Sequence, residues 1–579
     1  MRRSVIYRAI LRTLPVGLKH PIKMALSRAL YGARGGTPRQ QRYQVRQEPG
    51  LFSFITTVWN TSPAFVQALA DSVFAQTGGT HFEWFILDNG SSSQETRECL
   101  ARIARHPAVR LERVAQNLGI IGGMSYCLER ARNRYILPLD SDDYLFPDCV
   151  QIFTAVIQEA GYPPLLYSDE DKLDRGTHCD EYFKPDWDPV LFVHSCYIAH
   201  LCAIDRKLAI ALGAYSDTAA ENSHDWDSFM RFMLAGHVPK HVPEIVYSWR
   251  KHAQSTAQNI GSKPVVYESQ SSVVRKFVAA SPRADLYTVE MSPLFGGMPD
   301  WWIRRSRKDV PHRLLTLLLH EGAEPIATSV SSNDYPGHEV IPVRLGNARE
   351  TISQAVAGYR GLVHLFWDGI TILESEWAWE ALTLMELFPD TVMVGGRIEG
   401  PDGAMVAAGS YFGFGRGCDT PERGRITEDR GYFAHMWKTR SVSAVSSQHA
   451  VIEAGFLRKV LGSSGIASVP YLGAWAGALA QCDGQRVIYS PFLHGRARAD
   501  WDDLVDVSER RAFVRAHGNL FPETRFLSRH LGLDAASAYH LTSPEVRQRH
   551  LDALRQDAGA ENSSFAPAGL ADQTACRQD

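Results

Sequence analysis

Short apolar runs alternate with helical patterns through the first half of the chain. Phe52–Val58 reads as a buried strand running into a turn at Asn60, and Pro63 opens a helix to about Gln76. Phe82–Leu87 is a second strand, ending in Asp88-Asn89-Gly90-Ser91-Ser92. Val109–Val114 is a third, ending near Asn117-Leu118-Gly119, and a helix is predicted from about Gly122 to Arg134. The next apolar run, Ile136–Leu139, stops abruptly at Asp140-Ser141-Asp142-Asp143. Strands alternating with helices predict an α/β domain with a doubly wound, mostly parallel sheet. In such sheets ligands sit beyond the carboxyl ends of the strands. Thr57, Asn60, Asp88, Asn117, Asp140 and Asp142 all fall at those ends, so they are expected to converge on one crevice.

Further along, Asp225-Trp226-Asp227 is followed by Phe229, Met230 and Met233 at helical spacing. Asp227 would then lie in the first turn of a helix, where its dipole favours negative charge, and Asp225 could serve as its N-cap. Residues 263–280 read as another helix and 281–312 as linker. The second half repeats the first with its chemistry removed. Leu362–Gly369 can be laid on Leu137–Asp143, with Phe366 in place of Asp140, Asp368 on Asp142 and Gly369 in place of Asp143. Ala474-Trp475-Ala476 can be laid on Asp225-Trp226-Asp227. Trp367, Trp377, Trp379 and Trp475 suit either the core or glycan stacking. Arg510–Leu533 is predicted helical. The Ala/Gly/Ser/Gln-rich end is predicted disordered from about Asp552. The expected organisation is an arm at 1–49, a catalytic domain at 50–262, a linker with a crossover helix at 263–312, a degenerate second domain at 313–550 and a tail at 551–579.

Composition narrows the class. A chain of 579 residues is too long for one core, so two or more domains are expected. A net charge of −3 gives no argument for a nucleic-acid partner. The nine cysteines are scattered without a Cys-x-x-Cys, which argues against a zinc site and suits a reducing cytoplasm. No run approaches the roughly 20 apolar residues of a membrane span. Residues 1–46, however, carry eleven Lys/Arg and no Asp or Glu. Val5, Ile6, Ala9, Ile10 and Leu14 share one helical face there. Such an arm can lie in an anionic membrane interface or dock on the protein's own surface. The expected location is cytoplasmic, with the arm as a peripheral contact on the inner face of the membrane.

The cluster Asp140, Asp142, Asp143 carries the candidate chemistry. Carboxylates crowded at a strand end repel one another unless a cation lies between them. Mg²⁺ and Mn²⁺ prefer oxygen ligands, often one or two carboxylates plus substrate phosphates. The alternative is a solvated acidic turn or a helix cap.

The chain resembles the glycosyltransferase family 2 proteins of the GT-A fold. The resemblance is carried by Ser53–Asn60, Asp88–Ser92, Asn117–Gly119, Leu139–Asp143, Tyr167-Ser168-Asp169-Glu170-Asp171-Lys172 and Tyr182–Pro189. It continues through Asp225-Trp226-Asp227 with Arg231, Trp249-Arg250-Lys251-His252 and Ser255–Ala257. The later motifs are similar to the subgroup that builds O-antigen and other bacterial surface polysaccharides. The resemblance implies a GT-A doubly wound mixed sheet, with a second GT-A-like domain in tandem. It also implies the site roles. Thr57, Asn60, Asp88, Asn117, Asp140 and Arg250 would hold the nucleotide and diphosphate, Asp88 reading a uracil or thymine imide. The alternative for Asp88 is a turn cap with Asn89-Gly90. Asp142 and His252 would hold the divalent metal, and Asp143 would support them. Asp225 would be the general base. Asp169, Glu170, Asp171 and Trp187 would line the sugar or acceptor pocket, with an acidic surface loop as the alternative for the carboxylates. Two departures stand out. Thr57 stands where the family usually has Pro, and His224 where an acidic residue or Gln usually precedes the base.

The expected function is a metal-dependent, inverting transferase. It would move a sugar from a UDP- or dTDP-sugar to a glycan or lipid-linked glycan. The competing readings are a bifunctional polymerase with two active domains and a non-catalytic carbohydrate-binding scaffold. Phe366, Ala474 and Ala476 argue against the first; Asp140, Asp142 and Asp225 argue against the second.

Overall fold

The computed structural model describes residues 43–77, 81–252, 264–296, 298–322, 330, 333–463, 468–498, 505–523, 525–535 and 538–559. Nearly all of the basic arm expected at 1–49, and most of the tail expected at 551–579, lie outside them. The described chain divides into two compact units. One runs to Asp309 and takes in Trp437–Thr439; the other comprises Val310–Met436 and the residues from Arg440 onward.

In the first unit the elements alternate as the apolar pattern predicts. They are β1 (Phe52–Val58), α1 (Pro63–Phe74), β2 (Phe82–Asn89), α2 (Gln94–Ile103), β3 (Val109–Val114), α3 (Gly119–Arg130) and β4 (Tyr135–Pro138). Then follow β5 (Tyr144–Leu145), α4 (Cys149–Glu159), β6 (Leu165–Asp174), β7 (Thr177–Tyr182), α5 (Pro189–His194) and β8 (Cys202–Asp205). The unit continues with α6 (Arg206–Ala211), α7 (His224–Leu234), β9 (Lys240–Lys251), α8 (Pro264–Ala279), β10 (Tyr287–Met291) and β11 (Trp301–Arg305). Pro63 and Pro189 sit at the first helical positions, where a missing N–H costs nothing. The main sheet has the order β3-β2-β1-β4-β8-β6-β9-β5, with β7 paired to β6. β1 is parallel to β2 and β4, while β8 is antiparallel to both β4 and β6, so the sheet is mixed. β1 is buried on both faces, as its near-continuous apolar run requires. Phe54, Trp84, Leu137, Leu69 and Phe153 fill the core between sheet and helices.

Three sequence expectations shift. α3 begins at Gly119, one turn earlier than predicted, and ends at Arg130. The stretch expected as linker, 281–312, holds β10 and β11, which belong to the first unit, while α8 falls where a helix was expected. Tyr167–Lys172 is not a loop but the middle of β6.

The second unit contains β12 (Arg313–His320), β13 (His338–Arg344), α9 (Ala348–Val356), β14 (Gly361–Trp367), β15 (Ile370–Ile372), α10 (Trp377–Leu387) and β16 (Thr391–Glu399). β17 (Met405–Ala408), β18 (Tyr411–Phe412), β19 (Cys418–Asp419), β20 (Arg440–Val442), β21 (His449–Glu453) and α11 (Ala454–Gly462) follow. α12 (Leu472–Cys482), β22 (Arg486–Ala497), α13 (Val507–His517) and α14 (Pro544–Asp557) complete it. Its sheet runs β13-β12-β14-β21-β16-β22-β15, with β17 on β16. Along this path it repeats β2-β1-β4-β8-β6-β9-β5 with β7 on β6, parallel and antiparallel pairings included, and it adds β20 antiparallel to β22. The helix predicted over Arg510–Leu533 ends at His517, before the Gly518–Glu523 3-10 turn with its internal Pro522. α14 carries the ordered chain to Asp557, past the residue where the tail was expected to begin.

The repeat also corrects the residue-by-residue register. Phe366 lies inside β14, fully buried and paired with Leu318, and is not at the strand end. The connection that carries Asp140, Asp142 and Asp143 spans residues 139–143 between β4 and β5. Its counterpart between β14 and β15 is only Asp368-Gly369. The acidic loop is therefore shortened, not substituted. Asp368 is nearly buried, its N–H donating to the Leu319 carbonyl and its own carbonyl accepting from Arg498. Trp367, Trp377, Trp379 and Trp475 are all buried and serve the core.

Candidate active site

The strand ends of the first unit are stitched together by short polar side chains. Asn60 takes a left-handed backbone (φ 54°), and its Oδ1 accepts the N–H groups of Ser92 and Ser93, each at 2.9 Å. Asn89 Oδ1 accepts the Leu118 N–H (2.9 Å), while its amide donates to Asn117 Oδ1 (3.1 Å) and the Gly119 carbonyl (3.0 Å). Gly90 has φ 79°, and a Cβ there would sit 2.7 Å from the Asn117 nitrogen, so this close approach needs glycine. The loops after β1, β2 and β3 are thus tied into one rim through Asn60, Asn89 and Asn117, with Thr57 and Asp88 near the ends of β1 and β2.

Asp88 is nearly buried. Its Oδ1 accepts the Ser91 N–H (2.9 Å), and Arg113 Nε lies 3.2 Å from Oδ2. The carboxylate therefore caps its own turn, the alternative weighed above. The Arg113 side chain covering it is half exposed.

The loop after β4 is the centre of the site. Asp143 is wholly buried, with Oδ2 accepting from the Tyr247 hydroxyl (2.5 Å) and Oδ1 from the Arg250 N–H (2.8 Å). Burial pushes its pKa well up, Asp140 and Asp142 add to that, and the bonds from Tyr247 and Arg250 oppose it. Tyr247 also accepts the Asp140 N–H (3.3 Å). Arg250 Nε donates to the Asp142 carbonyl (2.6 Å), and Ser141 shares a 2.7 Å hydroxyl bond with Thr61. β9 and the turn after β1 therefore pin the acidic loop from two sides. Asp140 stays open to solvent at its tip. The crevice walls still strip enough water to raise its pKa, with Asp142 and Asp225 adding and His200 and His224 opposing.

Asp142 and His252 meet directly, with Nε2 2.6 Å from Oδ2. The His252 ring lies 5.0 Å from Phe65, which also sits under the Arg250 guanidinium at 5.3 Å. One carboxylate and one imidazole converging on a point is a donor set that suits Mn²⁺ or Mg²⁺ when phosphates and water complete the shell. Among the described residues no group of three or more His, Cys, Asp or Glu is arranged as a ready cage.

Asp225 is the second residue of α7. Its Oδ1 accepts from Tyr215 (3.1 Å), and His224 Nε2 lies 3.5 Å from Oδ2. Asp227 is turned away and buried, paired with Arg231 and Lys276. Glu221 accepts the N–H groups of Ile120 (2.5 Å) and Ile121 (3.4 Å), capping α3.

Asp169, Glu170 and Asp171 lie in β6 and are buried, each with a polar partner, so they are not the acidic surface loop weighed above. Asp169 Oδ1 accepts from the Lys184 N–H (2.8 Å) and faces His241 Nε2 (2.9 Å). Burial works against a charge on His241, but Asp169 and Asp186 outweigh it and raise its pKa. Asp171 is held by Ser248 and by His178, and Glu170 pairs with Lys184 Nζ at 3.1 Å. Lys184 is fully buried and also donates to the carbonyls of Ala199 (3.1 Å) and His200 (2.9 Å). This network holds the segment that sets His200 beside Asp140, against Tyr247 and Trp249. Lys184→Met would leave Glu170 buried without its cation. It should cost about 3–5 kcal/mol of stability, read as a lowered urea midpoint; an unchanged midpoint would show the pair to be dispensable. Trp187 is half-buried against Phe192 (5.0 Å) and Tyr197 (6.4 Å).

Residues 53–212 match the model of glycosyl transferase family 2. The match contains the rim residues, the acidic loop and Lys184; Asp225, Arg250 and His252 lie beyond it. Three curated proteins are similar. Uncharacterized protein y4gI of Sinorhizobium fredii is 26% identical over 442 residues, 70% of this chain and 48% of that one. O-antigen biosynthesis protein RfbC of Myxococcus xanthus is 26% identical over 338 residues, 55% of this chain and 25% of that one. Chondroitin synthase of Escherichia coli is 27% identical over 245 residues, 41% of this chain and 35% of that one. The chain thus spans less than half the length of each relative.

Proposed function

We propose that this chain, which carries a family 2 glycosyltransferase domain at residues 53–212, moves a sugar from a nucleoside-diphosphate sugar to a glycan or lipid-linked glycan in bacterial surface polysaccharide synthesis. The observation that supports the reading is that Asp142 and Asp225 lie close enough for their charges to act on Asp140, with His252 on Asp142. The rim of Asn60, Asp88 and Asn117 would receive the nucleoside, and Asp140 the ribose. UDP- and dTDP-sugars are the favoured donors, with Asp88 reading the imide once Arg113 swings aside. Asp142 and His252 would hold Mn²⁺ or Mg²⁺, which supplies charge neutralisation for the departing diphosphate. Arg250 holds the Asp142 loop in place. Asp225 takes the proton from the acceptor hydroxyl as its oxygen bonds to the anomeric carbon and the bond to the diphosphate breaks. A single displacement with one base and no nucleophile inverts the anomeric centre.

Among the described residues no helix is long and apolar enough to cross a membrane. We propose a cytoplasmic location, with the basic segment 1–46 as a peripheral contact on the inner face of the membrane.

The donor reading is tested by thermal unfolding in Mn²⁺ with UDP- and dTDP-sugars. A UDP- or dTDP-sugar should raise the first unit's transition, and EDTA should remove the shift. No shift with any nucleotide sugar would leave the carbohydrate-binding scaffold in its place.

The shortened Asp368-Gly369 connection predicts a second unit that does not catalyse. Asp368→Ala should leave transfer within about threefold of wild type, roughly 0.6 kcal/mol in barrier height. Loss of one of two distinct sugar transfers would instead establish a two-site polymerase.

A further inference from the structure

We propose that Tyr215 is the positioning residue for Asp225, fixing one carboxylate oxygen so that the other faces the acceptor hydroxyl. The proposal rests on the reading of Asp225 as the acceptor base.

Tyr215 lies outside every motif that marks the site in the sequence. It is fully buried, yet it adopts a left-handed backbone (φ 56°), which is uncommon and costly for a bulky side chain. Such a residue persists only where its surroundings hold it, and here they do. The Tyr215 N–H donates to Ser228 Oγ (3.1 Å), and Ser228 donates to the His224 carbonyl (2.7 Å). Arg231 donates to Asp227 Oδ2 (2.8 Å) and to the Leu212 carbonyl (3.3 Å). The turn before Tyr215 and the first turn of α7 are therefore one frame. Asp227 and Arg231 act by bracing that frame, and Lys276 of α8 reinforces them through Asp227 and Asp217.

The frame delivers one hydroxyl to one oxygen. Tyr215 donates to Asp225 Oδ1 at 3.1 Å. Burial and the charge of Asp225 hold the phenol well above its usual pKa, so it stays a donor. Among the described residues Tyr215 and His224 contact Asp225, and Asp140 and the thiols of Cys196 and Cys202 lie near enough to feel its charge. His224 Nδ1 faces the Glu221 carbonyl (3.3 Å), and its Nε2 lies 3.5 Å from Oδ2, too far for a good hydrogen bond. Oδ1 is thus occupied, and Oδ2 is left to take the proton. A base held in one rotamer spares the transition state the cost of ordering it.

The test compares Tyr215→Phe, Ser228→Ala and Asp225→Asn in the full chain. UDP or dTDP release is followed with the nucleotide sugar that gives the largest thermal shift, in Mn²⁺. Tyr215→Phe should lower kcat by roughly tenfold to a hundredfold, the range of a hydrogen bond to a charged group, with donor KM unchanged. Ser228→Ala loosens the frame without touching the hydroxyl. It should lower kcat by a smaller factor with donor KM again unchanged, and it decides the matter if Tyr215→Phe does not fold. Unchanged kcat in the folded variants, beside an inactive Asp225→Asn, would overturn the positioning role alone. An active Asp225→Asn would overturn the base reading beneath it.

Discussion

Asp225→Asn is expected to lower turnover by on the order of 10² to 10⁴, the usual worth of general-base catalysis, while donor binding survives. The amide keeps the shape of the carboxylate and can still accept from the Tyr215 hydroxyl, which lies 3.1 Å from Oδ1. It cannot take a proton. Asp225 is half-buried at the start of α7, so the change leaves no cavity and folding should be preserved. The nearby carboxylates are poor substitutes. Asp227 is buried between Arg231 and Lys276, and Glu221 is engaged at the N-terminus of α3. Steady-state kinetics with a separate donor-binding titration checks the prediction. Near-normal turnover would move the base to another group.

Asp142→Asn, or EDTA on the wild type, should lower transfer by at least on the order of 10²-fold, because charge neutralisation at the leaving group is worth several kcal/mol. Asp142 meets His252 at 2.6 Å and its backbone is tied to Arg250, so the two proposed ligands are already held side by side. Mn²⁺ or Mg²⁺ added after EDTA should restore the wild type but not the variant. Full activity in metal-free buffer would mean that the Asp142–His252 pair serves as an ion pair alone.

The sheet was legible because its strands announce themselves. β1, β2 and β4 are short apolar runs that end in polar turns, and the doubly wound order follows from their alternation with helices. The rim and the acidic loop were legible for the same reason, since strand ends are where such sheets gather their ligands. What stayed hidden depends on contacts between residues far apart in the chain. Tyr247 reaches Asp143 across the sheet, and Tyr215 reaches Asp225 from a turn with no motif of its own. For Asp169, Glu170 and Asp171 three acids in a row left a surface loop open as the alternative, and the structure buries them instead. Only the fold brings up their buried partners His241, Lys184 and Ser248. In the second half the pattern matched residue types but not lengths. Phe366 was aligned to a loop that β14 and β15 have nearly closed.

The central claim is that the crevice of the first unit, and not that of the second, carries the transfer. It is tested most directly by nucleoside diphosphate release from the full chain, with Asp142→Asn and Asp368→Ala assayed side by side against wild type in Mn²⁺. Release should be lost in Asp142→Asn and kept within about threefold in Asp368→Ala. Release that survives Asp142→Asn and disappears in Asp368→Ala would contradict it.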